Sequence, residues 1–176
     1  DFSAHMNACI SDAHGPYLMI VSDDDQIVPD YVTTMVDLME SDPQIKVCLG
    51  RQIQISEDDR GLLNREVGDQ QCRIIEGVEF ITGVLDRKLV TGVLTYISMF
   101  VRREELLSVG GYKDYPDGSN ADNFIVFSLA MSGKIALAPS LMFYRVYLAS
   151  FGLRTTFPAL LKATQDYTQD TWETIQ

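Results

Sequence analysis

Long apolar runs are missing from this sequence. No stretch of about 18 apolar residues occurs, so the chain offers no helix able to span a membrane. Basic residues are scarce: 14 Lys and Arg stand against 25 Asp and Glu, a net charge of −11. That balance excludes an even phosphate-binding surface, and nucleic acid with it. A negatively charged substrate would need a local cation, either a metal or a small Arg/Lys cluster. The cysteines, Cys9, Cys48 and Cys72, are three in number. Odd in count and widely spaced, they form neither a disulfide framework nor a zinc site, which suits a reducing, cytoplasmic setting. The two histidines, His5 and His14, carry no partner pattern. The opening, DFSAHMNACISDAHG, has no basic region and no long apolar stretch, so it is not a signal peptide. It also lacks an initiator Met, and the chain is expected to begin within a longer protein. What remains is ordinary globular composition, 46% apolar and 22% charged over 176 residues. That is one domain, long enough to bury a core without staples.

Periodicity supplies the elements. Phe2, Met6 and Ile10 recur at helical spacing over residues 2–13, and His14-Gly15-Pro16 stops that helix. Tyr17 to Val21 (YLMIV) is a short continuous apolar run, suited to a strand buried on both faces. Pro29 and Asp30 open a second helix with Val32, Met35, Val36 and Met39 as its apolar stripe, and Pro43 ends it. Lys46 to Ile55 reads as a strand, and the polar, acidic residues 56–72 as a surface loop. A helix over 76–88 and a strand from Leu94 to Val101 follow. Arg103 to Val109 is a short helix stopped by Gly110-Gly111. Lys113 to Asn120 is rich in turn formers. Asp122 to Ser132 is an apolar helix with Phe124, Phe127 and Met131 on one face. Ile135 to Ala138 and Met142 to Tyr147 read as two short strands, and 157–175 as a helix. Trp172 within it is a packing or partner-surface residue. Alternating strands and helices make the fold class α/β.

Ser22-Asp23-Asp24-Asp25 follows the first apolar strand, where open α/β sheets bind ligands. Three adjacent carboxylates repel one another, and a divalent cation relieves that cost. Their oxygens suit Mg²⁺ and Mn²⁺. Neighbours on extended backbone point opposite ways, so at most two of the three can ligate directly. Three other readings compete. The cluster could be an exposed acidic loop that caps the next helix. A calcium EF-hand would need Gly at loop position six and Glu at position twelve, but counting from Asp23 gives Val28 and Thr34. Asp23-x-Asp25 after an apolar strand also resembles a haloacid-dehalogenase-type phosphotransferase, which would form an aspartyl-phosphate at Asp23. Lys113, Asp114 and Asp117 imitate its remaining residues poorly.

The segment AHGPYLMIVSDDDQIVPDYVTTMVDLMESDP resembles the middle of a family 2 glycosyltransferase of GT-A fold. That family shows A-x-G-x-Y before an apolar strand, then an acidic DxD cluster, a Pro and a helix. A second set of blocks agrees in order: FVRREELLSVGGYKD, NADNFIVFSLAMSGKIALAP and FYRVYLASFG. The resemblance implies a GT-A mixed sheet flanked by helices, with the first nucleotide-binding strands preceding this chain. Residues 1–176 would be the C-terminal portion of that domain, from the DxD strand to the acceptor half. It implies a metal-dependent inverting transfer of sugar from a nucleotide-sugar donor to a saccharide or lipid-linked acceptor. Surface polysaccharide or glycolipid synthesis is the expected setting, with peripheral contact at the inner face of a membrane. Asp24 would be the direct ligand of Mn²⁺ or Mg²⁺, flanked by Asp23 and Asp25. Asp122 matches the general base, Ser22 adjoins the donor, and Arg145 would reach a donor phosphate. Burial would raise the pKa of Asp122, whereas a helix N-terminus would lower it. A plain helix N-cap is the competing role for Asp122, and a surface salt bridge for Arg145. Arg102 and Arg103 are expected to support the fold. Tyr147 stands where many relatives carry His, which would leave the acidic cluster one ligand poorer. A catalytically inactive module that keeps the acceptor half and acts by binding is the alternative function.

Overall fold

The apolar runs assemble into one mixed sheet clad by helices on both faces. The computed structural model describes residues 1–23, 25–55, 71–86, 89, 98–145 and 157–175. In chain order the elements are α1 (Phe2–Asp12), β1 (Tyr17–Met19), β2 (Gln26–Ile27), α2 (Tyr31–Ser41), β3 (Ile45–Ile55), β4 (Arg73–Glu76), α3 (Gly77–Leu85), β5 (Met99–Arg102), α4 (Arg103–Ser108), α5 (Ala121–Ala130), β6 (Lys134–Arg145) and α6 (Phe157–Ile175). The strand order is β1-β5-β3-β6-β2, with β4 also paired to β6. β3 and β6 run parallel, and every other pairing among the described residues is antiparallel.

Period-two alternation divides the core between the two faces. Leu18, Val47, Leu49, Met99, Val101 and Ile135 point to one side, where α1, α3, α4, α5 and α6 supply Met6, Phe80, Leu106, Phe124 and Ala163. Cys48, Phe100, Ala136 and Ala138 point to the other, against Tyr31, Met35 and Met39 of α2. Central strands are therefore apolar at successive positions, as parallel-type sheets require. Arg102 and Arg103 stitch the layers together. The Arg102 guanidinium donates to the carbonyls of Ile45 (2.7 Å) and Met39 (2.5 Å), and that of Arg103 to Ile10 and Ser11 (both 3.2 Å). Both arginines hold helix ends and strands rather than reach toward a ligand.

Several sequence expectations need correction. β1 ends at Met19, with only Leu18 fully buried, because it pairs with β5 alone among the described residues. Val32 is 47% exposed while Tyr31, outside the expected stripe, is fully buried. Met131 lies past the end of α5 and is half-exposed. β4 falls in the gap between the expected loop 56–72 and the expected helix 76–88, overlapping only the start of that helix, and it borrows its partner, β6, from far along the chain. The two short strands expected after Gly133 are one strand, β6, held continuous by β3. The acidic segment 56–70, residues 94–97 and Tyr147 lie outside the described residues. No described helix is long and apolar enough to cross a membrane.

Candidate active site

The sheet is bent where the register of β3 and β6 breaks. Leu49 faces Leu137 and Arg51 faces Leu141, so Gly50 alone opposes Ala138, Pro139 and Ser140. Such a bulge bends a strand, and it also accommodates a proline, which has no N–H for the ladder. Gly50 is required for a second reason. A Cβ there would overlap the phenol of Tyr31. That phenol crosses the sheet and donates to the carbonyl of Ser98 at 3.3 Å, and the Ser98 hydroxyl accepts from Gln52 Nε2 at 2.6 Å. Burial pushes the Tyr31 phenol above its ordinary pKa and keeps it neutral.

The strand order constrains where the acidic turn lies. β1 and β2 are four strand positions apart, yet only residues 20–25 join them. Across a flat sheet the step from Met19 to Gln26 would span about 25 Å, close to the full reach of seven extended residues. The Asp25 N–H donates to the Ser22 carbonyl at 3.2 Å, a turn that shortens this reach further. The Ser22–Asp25 turn therefore leads from the end of β1 to Gln26, which pairs with Phe143 in the second half of β6. Asp23 is exposed, and Ser22 and Asp25 are half-buried. Asp24 lies outside the described residues.

Asp122 is placed by a different route. Only Met131–Gly133 separate the last turn of α5 from β6, and the Lys134 N–H donates to the Gln44 carbonyl where β3 begins (2.8 Å). α5 therefore runs back along the sheet against the direction of β6. Its ten residues rise about 15 Å, which sets its first turn about level with Ala138. β1 also ends near that level, since Met19, Phe100, Cys48 and Ala136 are successive register partners. Asp122 is half-buried, with its Oδ1 shielded from solvent. It is not the helix N-cap. That position belongs to Asn120, and Asp122 is the second residue of the helix. Arg145 is the last residue of β6, its backbone opposite Ile55 where β3 also finishes, seven residues beyond Ala138. Its side chain lies outside the described residues.

The loop leading to Asp122 is tied on two sides despite its turn-forming composition. From α1, Asn7 donates to the Tyr112 carbonyl (2.9 Å) and accepts from its N–H (2.8 Å), while the Ser3 hydroxyl donates to the Lys113 carbonyl (2.7 Å). From α6, the Asp170 carboxylate accepts the Tyr115 hydroxyl at 2.8 Å. Sequence reasoning missed Tyr31, Gln52, Ser98 and Asn120. One signal was available: a glycine inside the strand KVCLGRQIQI marks a bulge or a close approach.

The described carboxylates of the turn suit a hard divalent cation. Among the described residues no group of three or more His, Cys, Asp or Glu side chains is arranged to hold a metal.

A mixed sheet clad by helices, with an acidic turn between its first two strands and a carboxylate in the first turn of a later helix, is the GT-A architecture. The chain belongs to glycosyl transferase family 2, whose model matches residues 1–107. Among solved structures it is similar to S. aureus TarS 1-349 in complex with UDP-GlcNAc, with a TM-score of 0.65 at 11% identity. That match covers 93% of this chain and 45% of the other. The complex of the same protein with UDP matches with a TM-score of 0.54 at 13% identity, over 81% of this chain and 39% of the other. A third TarS 1-349 structure gives 0.53 at 12% identity, over 81% and 40%. The chain thus spans less than half the length of these structures. No curated protein matches it.

Proposed function

We propose that this chain is the metal-binding and acceptor portion of an inverting glycosyltransferase that uses a nucleotide-sugar. The observation that carries the reading is that β1, which runs into the Ser22–Asp25 turn, ends about level with the first turn of α5, which bears Asp122, although about 100 residues separate them in sequence. Asp24, with Asp23 or Asp25, would hold Mn²⁺ or Mg²⁺. The metal would supply neutralisation of the charge that develops on the nucleoside-diphosphate leaving group. Ser22 lines the donor side of the turn, and Arg145 adds a cation for a donor phosphate. Asp122 takes the proton from the acceptor hydroxyl as its oxygen attacks the anomeric carbon. The nucleotide leaves from the opposite face, which inverts that carbon. The solved neighbour's UDP-GlcNAc makes uridine nucleotides the first donors to try. The acceptor is a saccharide or a lipid-linked saccharide of surface-polymer or glycolipid synthesis, met by peripheral contact at the inner face of a membrane.

The test is calorimetric titration of Mn²⁺ and then UDP- and GDP-sugars into the full-length polypeptide. Asp24→Ala is expected to abolish metal-dependent donor binding. Asp122→Asn is expected to bind donor normally and to lose turnover. Donor binding without metal dependence would remove the role of the turn. Full turnover by Asp122→Asn would remove the base. Donor binding with no turnover by the wild-type protein would favour a binding module.

A further inference from the structure

Asn120 is the one non-glycine residue with positive φ among the described residues, at φ 67° and ψ 0°, and it stands two positions before Asp122. A side chain in this left-handed region is strained for all but Gly, Asn and Asp. Such outliers persist where the surroundings hold them. Asn is also a leading N-cap residue, but as a cap it takes extended backbone and accepts from the helix with its side chain. Asn120 does neither. It is the N-cap of α5, and its side chain makes no capping bond. Instead its Oδ1 accepts from Asn123 Nδ2 at 3.2 Å, and its Nδ2 donates to Thr164 Oγ1 of α6 at 3.4 Å. Its carbonyl accepts the first helical bond, from the Phe124 N–H at 3.0 Å.

We propose that Asn120 is a positioning residue for Asp122, an inference that rests on Asp122 being the base. Ala121 is fully buried and Phe124 nearly so. Together with the other buried residues of α5 they seat the helix in the core. The chain arrives from the tied loop at Tyr115, and the left-handed step at Asn120 turns it into the helix in a single residue. Asp122 then follows in regular helical geometry with one oxygen shielded. A residue that refuses the left-handed region passes the turn on to Ala121 and Asp122, unwinding the first turn and moving the carboxylate. Reaction rate is sensitive to such a displacement, whereas donor binding at the acidic turn is not.

The experiment compares Asn120→Ala, Asn120→Val, Asn120→Gly and Asn120→Asp in the full-length polypeptide, beside Asp122→Asn. Release of nucleotide is followed from a panel of UDP-, GDP- and dTDP-sugars. The expected result is a fall in kcat of at least tenfold for Ala and more for Val, with donor KM within about twofold of wild type. Gly and Asp, which accept the left-handed region, restore most of the rate. Circular dichroism and melting temperature confirm that each variant is folded. Wild-type kcat in folded Asn120→Ala, with Asp122→Asn dead, overturns the positioning role and leaves the base assignment standing. Equal losses in Ala, Gly and Asp also overturn it, because the side-chain bonds and not the backbone would then matter. Full activity of Asp122→Asn overturns the base assignment and this inference together.

Discussion

Tyr31 and Gly50 share one space at the bend of the sheet: the phenol of the first occupies the volume a Cβ on the second would need. Tyr31 is fully buried and donates across the sheet to the Ser98 carbonyl at 3.3 Å. Gly50→Ala should therefore destabilise the chain by about 1–3 kcal/mol through overpacking. Tyr31→Phe should cost about 1 kcal/mol through the lost hydrogen bond. The two should couple, because Phe returns part of the space that Ala takes. Urea denaturation of both single variants and the double variant checks this. Strict additivity would show that the close approach carries no energy.

The parts of the fold visible beforehand are those with a strong local pattern. Met6 and Ile10 on α1, the strand from Lys46 to Ile55, and the paired glycines after α4 all hold, and Gly110 and Gly111 have φ of 83° and 66°. What escaped depends on distant partners. β4 is a strand because β6 lies beside it, with Ile75 opposite Ile135. β6 stays whole across Pro139 because a bulge opposite Gly50 absorbs the proline. The site divides the same way. The acidic residues and Asp122 stand out because carboxylates after a strand and at a helix start have chemical meaning. Tyr31 and Asn120 look like ordinary helix-start residues, and only three-dimensional placement distinguishes them.

Asp42 and Lys134 give the fold a pH-dependent tie. Their ion pair is 2.9 Å long and joins the start of β3 to that of β6. The hydrogen bond from Lys134 holds the Asp42 carboxyl below its ordinary pKa, and the reciprocal bond raises that of Lys134. A depressed carboxylate stabilises the fold above its unfolded pKa, and that contribution is lost as pH falls through the folded value. The raised ammonium contributes below its unfolded pKa and fades as pH rises through its folded one. Lys134→Met should therefore move the acid-unfolding midpoint to higher pH, measured by circular dichroism between pH 2 and 5 (roughly the carboxylate range). An unchanged acid limb would show that the pair is fully screened.

The three thiols should report the burial pattern. Cys48 is buried and its pKa is pushed up to about 12 by desolvation, whereas Cys9 and Cys72 are exposed. Although its side chain reaches solvent, partial desolvation also raises the Cys72 thiol. Thiolate is the reactive form. At pH 8 a disulfide reagent should modify Cys9 first, Cys72 more slowly, and Cys48 only in denaturant. Rapid loss of all three thiols in the native protein would contradict the packing of β3 against α2.

Asn7 should prove more than a polar residue on a helix surface. It meets both backbone groups of Tyr112, accepting at 2.8 Å and donating at 2.9 Å. Gly111 allows the contact, since a Cβ there would overlap Asn7 Oδ1. Asn7→Ala removes both bonds and should cost about 2 kcal/mol at roughly 1 kcal/mol each. Asn7→Asp is the sharper test. It keeps an acceptor for the Tyr112 N–H but sets a second oxygen against the Tyr112 carbonyl, so it should be no more stable than Asn7→Ala above pH 5, roughly where a surface Asp is ionised. Below about pH 3 the protonated Asp regains a donor, and the Asp variant should recover relative to Ala. Urea melts of the two variants at pH 3 and pH 7 measure this. An Asp variant as stable as wild type at pH 7 would mean that α1 does not grip the loop that leads to Asp122.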